Sequence, residues 1–149
     1  MRLGKSLIAG ICLMAATANL AMPAAAQEVP VKNGSVWVAS RIDVLPGQMP
    51  AYLDYLATEW KKQQEWGKAE GIVLSYRVMR TNHARNGEPD LILLIEYKDY
   101  STVADQEAIT KKYEAATGMN PRKGAAGNLE REKIRSLMGS TEYQELILK

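Results

Sequence analysis

Cysteine is almost missing from this chain of 149 residues: Cys12 is the only one. It lies in a segment that reads as removable, so the remaining domain is expected to have no disulfide, no thiolate nucleophile and no Cys-ligated metal. Such a domain must hold together by packing alone. Histidine is as scarce, with His83 alone. No second imidazole is available within a subunit to complete a metal site or a His-based catalytic pair, and an exposed loop histidine is the simpler reading. An excess of one charge is also lacking. The chain has nineteen basic and seventeen acidic residues. Arg2 and Lys5 leave with the leader, so seventeen of each remain, and a neutral chain is a poor match for nucleic acid, which demands a basic stripe. There is no internal repeat of tandem-array length and no sign of a second domain.

The leader itself has three parts. Arg2 and Lys5 form a basic head, Leu7 to Met22 is an uncharged apolar run, and Ala24-Ala25-Ala26 supplies small residues before Gln27. That is the secretory pattern, with cleavage expected after Ala26. The apolar run is short for a transmembrane span of about 20 residues. Residues 1–26 are therefore read as a signal peptide, 27–34 as a flexible lead-in, and 35–149 as one domain. Removing 26 residues leaves 123, enough for one core. The expected address is the far side of the inner membrane, a bacterial periplasm, with no membrane contact after cleavage.

The domain is organised around Gly71 to Asp99. β-branched and aromatic residues bounded by Gly, Asn and Pro predict two strands, Ile72–Met79 and Leu91–Lys98, joined through Asn86-Gly87 and Pro89. Antiparallel pairing with a residue sum near 169 sets Arg77 against Ile92, Ser75 against Leu94 and Val73 against Glu96. One face is then almost wholly apolar (Ile72, Leu74, Tyr76, Val78 with Leu91, Leu93, Ile95, Tyr97). The other is mixed: Val73, Ser75, Arg77, Met79 with Ile92, Leu94, Glu96, Lys98. Ser35–Val44 alternates in the same way and predicts a first strand. Pro50 and a stripe of Met49, Leu53 (or Tyr52), Leu56, Trp60 and Gln63 predict a helix over 48–70, closed by Gly71. Ser101 or Thr102 caps a second helix to Ala116. Thr117–Asn128 is Gly-rich and reads as loop, Leu129–Met138 as a short third helix capped by Asn128, and Glu142–Lys149 as the last strand.

Strand, helix, strand, strand, helix, strand is the βαββαβ order of an α+β, ferredoxin-like fold, with helices on one face of an antiparallel sheet. The mixed face is left without helices. Its apolar members predict a patch of several hundred Å², the size that marks an interface, and a second copy related by two-fold symmetry is the simplest cover.

With the strand VWVASRIDVLPG, the hairpin YRVMR…PDLILLIEYKD and the closing strand EYQELILK, the chain resembles the dimeric α/β-barrel superfamily over about Ser35 to Lys149. The resemblance implies a homodimer whose two sheets close a barrel. Members include cofactor-independent monooxygenases of antibiotic biosynthesis, haem-degrading monooxygenases and stress-type proteins. The haem-degrading members use a histidine on the second helix. Here Ser101–Ala116 has none and the first strand has no Asn, so neither haem nor any other cofactor is expected. Trp60 and Trp66 then explain themselves as packing.

Candidates for a binding site sit on the mixed face: Trp37, Arg41, Arg77, Glu96 and Tyr143. A charge in a closed barrel needs a partner. If the first and third strands run parallel, Arg41 and Glu96 fall level, as an ion pair or as an anchor for a carboxylate or phenolate. Trp37 offers an aromatic wall and Tyr143 a phenolic hydroxyl, whereas Tyr76 and Tyr97 belong under the helices. The expected ligand is a small, partly apolar molecule in the barrel or at its rim. An oxygenase or isomerase, and a cavity-free structural dimer, are the alternatives.

Overall fold

The computed structural model describes residues 29–149; the leader at 1–26 lies outside them. The chain forms β1 (Val31–Val44), α1 (Met49–Tyr55), a π-helical turn (Leu56–Trp60), α2 (Lys61–Ala69), β2 (Val73–Arg80), β3 (Leu91–Tyr97), α3 (Val103–Thr117), α4 (Pro121–Glu132) and β4 (Arg135–Leu148). The four strands make one antiparallel sheet in the order β2-β3-β1-β4. The ferredoxin-like α+β fold is therefore the observed one.

β1 alternates as its sequence dictates. Val36, Ile42 and Val44 are buried under the helices, while Trp37, Ala39 and Arg41 take the opposite face. Leu45-Pro46-Gly47 turns the chain, with Gly47 at φ 78°, where a Cβ would be strained. Pro50 then opens α1 in the first turn, where its missing N–H costs nothing. Tyr52, Leu56, Trp60 and Gln64 are buried at intervals of four. In a 3.6-residue turn each such step overruns by about 40°. The wider π turn between Tyr55 and Lys61 takes up that drift and keeps all four side chains against the sheet. Ile42, Val44, Tyr52, Leu56, Trp60, Leu91 and Leu93 are the core. Trp60 meets Tyr76 edge-on at 5.3 Å, and the Tyr76 hydroxyl donates to Glu65 Oε1 at 2.5 Å.

The hairpin differs in register from the sequence expectation. Ser75 faces Glu96, Arg77 faces Leu94 and Met79 faces Ile92, and beyond them an irregularity at Leu74 adds a residue to β2. The shift from the expected pairing is two residues, and strand side chains repeat every two, so these three keep the predicted face. Val73, before the bulge, changes sides: it pairs with Tyr97 and is buried under the helices.

The termini and the stretch after α3 depart further. Val31–Gly34, read as lead-in, belongs to β1, which β4 zips to its first residues, Val31 against Leu148. The expected loop at 117–128 is mostly α4. Asn120, not Asn128, caps it, its Oδ1 accepting from the Lys123 N–H at 2.9 Å, and Pro121 sits at the first helical position. A third helix over 129–138 is not formed. α4 ends at Glu132 and β4 starts at Arg135, seven residues before the expected strand. RSLMGST has no clean alternation, and Gly139 at φ 114° adjoins the β1–β4 register shift, so this half of β4 takes its conformation from pairing with β1.

Candidate functional site

The mixed face of the sheet carries rows set by the strand register. Ser75, Glu96, Trp37 and Tyr143 form one row across all four strands. Ser75 Oγ donates to Glu96 Oε2 at 2.5 Å, and the Arg77 guanidinium, one row on, sits 5.7 Å from the Trp37 ring centroid. Trp37, Arg77, Glu96 and Tyr143 are therefore brought together. Arg41 is not. β1 and β3 run antiparallel, so Trp37 is the residue opposite Glu96, and Arg41 is opposite Ile92. Four residues along a strand separate Arg41 from that row by about 13 Å. Arg41 Nη2 instead donates to the Gly87 carbonyl at 3.0 Å and fastens the β2–β3 loop. The expected Arg41–Glu96 level is thereby corrected. His83 lies exposed in that loop at φ 59°.

A cavity of about 910 Å³ opens on the other side of the sheet, between it and the helices. Val36, Val38 and Tyr97 form its floor, Trp66 and Gly67 of α2 one wall, and Ile109 and Tyr113 of α3 the other. Met119, Pro121 and Gly124 close one end, and Asp99, Tyr100 and Ser101 the other lip. A second hollow of about 430 Å³ adjoins it and shares Ile72, Tyr97, Asp99, Ser101 and Ile109.

The reason for the space lies in the two helices. Gly67 lets α2 approach β2 so closely that a Cβ there would come within 2.8 Å of Val73 Cγ2. α3, by contrast, has no buried residue. It is held by its ends and by two side-chain contacts: Tyr113 meets Trp66 edge-on at 4.8 Å, and Lys112 pairs with Glu70. Thr102 and Asp105 close a capping box at its start, and Gly118 in the left-handed region ends it. α3 thus spans the far half of the sheet without filling the room beneath it.

Chemically the cavity is aromatic and carries acidic and neutral polar groups, with no Arg or Lys in its lining. Burial raises the Tyr97 phenol above its ordinary value, so at neutral pH it keeps its proton and can donate a hydrogen bond. Gln63, Gln106 and Glu142 offer further polar partners. A neutral or cationic, largely apolar molecule matches this lining; a carboxylate does not. Among the described residues no cluster of three His, Cys, Asp or Glu side chains could hold a metal ion.

None of these wall residues stood among the sequence candidates. Tyr97 reads as core from strand alternation, and it does lie under the helices; Trp66 reads as packing, and it meets Tyr113. That Trp66 packs was legible in the sequence, but packing does not say that the space beneath α3 stays open.

No family model and no curated protein matches the chain. Among solved structures it is similar to HapK from Hahella chejuensis, at 11% identity and TM-score 0.47, over 74% of this chain and 91% of that one. A dimeric ferredoxin-like protein from an uncultured marine organism is 18% identical with TM-score 0.43, over 79% and 98%. A candidate monooxygenase from Shewanella loihica PV-4 is 14% identical with TM-score 0.39, over 79% and 96%. Likenesses of this size carry no activity, ligand or partner across to this chain.

Proposed function

We propose that this chain is an exported, homodimeric ferredoxin-like domain that binds a small, partly apolar molecule between its sheet and helices. The observation that carries the reading is the 910 Å³ cavity with Trp66, Tyr97 and Tyr113 in its walls. Its size is that of pockets which bury most of a drug-sized ligand, and a few polar groups among apolar walls are what such sites use for orientation. Export rests on the basic head, apolar run and Ala24-Ala25-Ala26 of the leader. Self-association rests on the mixed sheet face, where Leu94, Ile92, Met79, Trp37 and Tyr143 have no helix over them. Tyr97, which keeps its proton, offers such a ligand a hydrogen-bond donor. A cofactor-independent oxygenase or isomerase would need a proton acceptor beside its substrate, for which the lining carboxylates Asp99 and Glu142 are the candidates.

The test is a titration with N-phenyl-1-naphthylamine, a neutral aromatic probe, read by probe emission and by quenching of tryptophan. Saturable binding with about one probe per chain is expected, and Ile109→Trp, which fills the space from α3, should weaken it at least tenfold while the fold is kept. Binding that is linear in probe concentration, or unaffected by I109W, would place the probe elsewhere and sink the reading.

A further inference from the structure

At the end of the sheet away from the cavity, two arginines stand over two tyrosines. Arg135, the first residue of β4, is opposite Val44 of β1, and the neighbouring Ile134 carbonyl accepts from the Leu45 N–H at 3.0 Å. Its backbone is pinned on both sides. The residue is buried, with only 9% of its surface exposed. Its Nε is the one buried side-chain polar atom among the described residues with no hydrogen-bond partner. One turn earlier, Arg131 lays its guanidinium 4.8 Å from the Tyr55 ring centroid and donates to Asn128 Oδ1. Tyr55 stacks on Tyr52 at 5.8 Å, and Arg135 lies close enough to Tyr52 to act on its phenol.

A guanidinium does not give up its proton, so Arg135 is a buried cation. Burial of an ion is costly unless a counter-charge and hydrogen bonds compensate. The ion pairs among the described residues are Arg85–Glu88, Lys112–Glu70 and Lys133–Glu130, and neither arginine takes part in one. The carboxylate felt at Tyr55 is that of Glu59, whose effect there is smaller than that of either arginine. The negative end of the α4 dipole accounts for a cation at Arg131; it leaves the Arg135 Nε–H unexplained. A buried polar atom without a partner calls for an explanation, and an ion or a ligand supplies one.

We infer that Arg131 and Arg135, beside Tyr52 and Tyr55, form a site for a small oxyanion, a carboxylate or a phosphate group. The planar fork of arginine matches two such oxygens, and the tyrosines remain O–H donors because burial raises both above the ordinary phenol value. The charge of this ligand is opposite to what the aromatic cavity accepts, and the two sites sit at opposite ends of β1. The inference stands apart from the proposed cavity ligand.

Inorganic phosphate and acetate, titrated separately at constant ionic strength, test it. The arginine Nε–H cross-peak that Arg135→Lys removes is followed by NMR, with the melting temperature alongside. A saturable shift of that cross-peak with a rise in Tm is expected, weakened at least tenfold by Arg131→Gln and unchanged by I109W. A response to phosphate alone assigns a phosphate-bearing ligand, to acetate alone a carboxylate, and to both any small oxyanion. A cross-peak that moves with neither anion in the wild-type protein, or equally in R131Q, would overturn the site.

Discussion

Tyr52, Tyr55 and Tyr97 share one physical circumstance: burial, more than any neighbouring charge, raises their phenols above the usual 10.0. An acid with a raised folded value contributes stability that is fully present below the unfolded value and is lost as pH rises through the folded one. The protein should therefore keep its urea midpoint up to about pH 10 and lose stability above it. Tyr52→Phe and Tyr97→Phe should each flatten that alkaline fall, as read by denaturation at a series of pH values. Equal alkaline slopes in wild type and both variants would show that these phenols do not titrate with unfolding. In the cavity, Y97F removes a hydrogen-bond donor of about 0.5–1.5 kcal/mol, so probe affinity should drop severalfold only for ligands with an acceptor. Sequence alternation placed Tyr97 under the helices. It could not show that Tyr97 lines a cavity, because that depends on what lies above it.

Among the elements, the two that form the cavity walls differ in how firmly they are held. α2 closes on β2 through Gly67, and Gly67→Ala sets two effects against each other. Alanine favours the helix by about 1 kcal/mol over glycine. Its Cβ, however, would meet Val73 Cγ2 at 2.8 Å, and a β-branched side chain has little freedom to turn away. Overpacking of this kind costs about 1–3 kcal/mol, so the steric cost should win and G67A should lower the urea midpoint. An unchanged or raised midpoint would mean that α2 slides without loss. α3 has no fully buried residue and rests on its capping box, Lys112–Glu70 and Tyr113 against Trp66. Thr102→Ala removes a cap of about 1 kcal/mol. Because few buried contacts tie α3 to the rest, that loss should appear as faster hydrogen exchange in the α3 amides, with exchange in β1 and β3 unchanged. A uniform rise in exchange would instead make α3 part of the global folding unit. The caps of α3 are plain in Thr102-Val103-Ala104-Asp105. Asn120-Pro121 gave the same kind of signal for α4, but Gly124 and Gly127 outweighed it when only local preference was considered.

For the molecule as a whole, the sheet face without helices is where a second copy would pack. Leu94 sits at its centre, between Ala39 of β1 and Arg77 of β2, and takes no part in the core cluster beneath the helices. Leu94→Asp should therefore leave the protomer folded and convert a dimer into a monomer, as measured by light scattering at micromolar concentration with circular dichroism alongside. A wild-type monomer, or a dimer that survives L94D, would remove this face as the interface. If the dimer forms, Trp37, Arg77, Glu96 and Tyr143 become interior residues. The Ser75–Glu96 hydrogen bond and the Arg77–Trp37 contact are then what satisfies charge inside the barrel.

What the sequence determined by itself is local and periodic. Alternation set the two faces of β1 and β3, Pro50 and Gly71 bounded the first helical run, and the order of elements selected the ferredoxin-like topology, because each follows from near neighbours in the chain. Only the tertiary structure decided the rest. The bulge at Leu74 moved Val73 across the sheet, antiparallel pairing separated Arg41 from Glu96, and β1 drew Arg135–Thr141 into a strand that those residues do not encode alone. The cavity and the Arg131–Arg135 cluster depend on how far α3 stands off the sheet and on where α4 meets β4. These are distances between segments remote in sequence, set by the balance of packing across the whole domain, and no local pattern carries them.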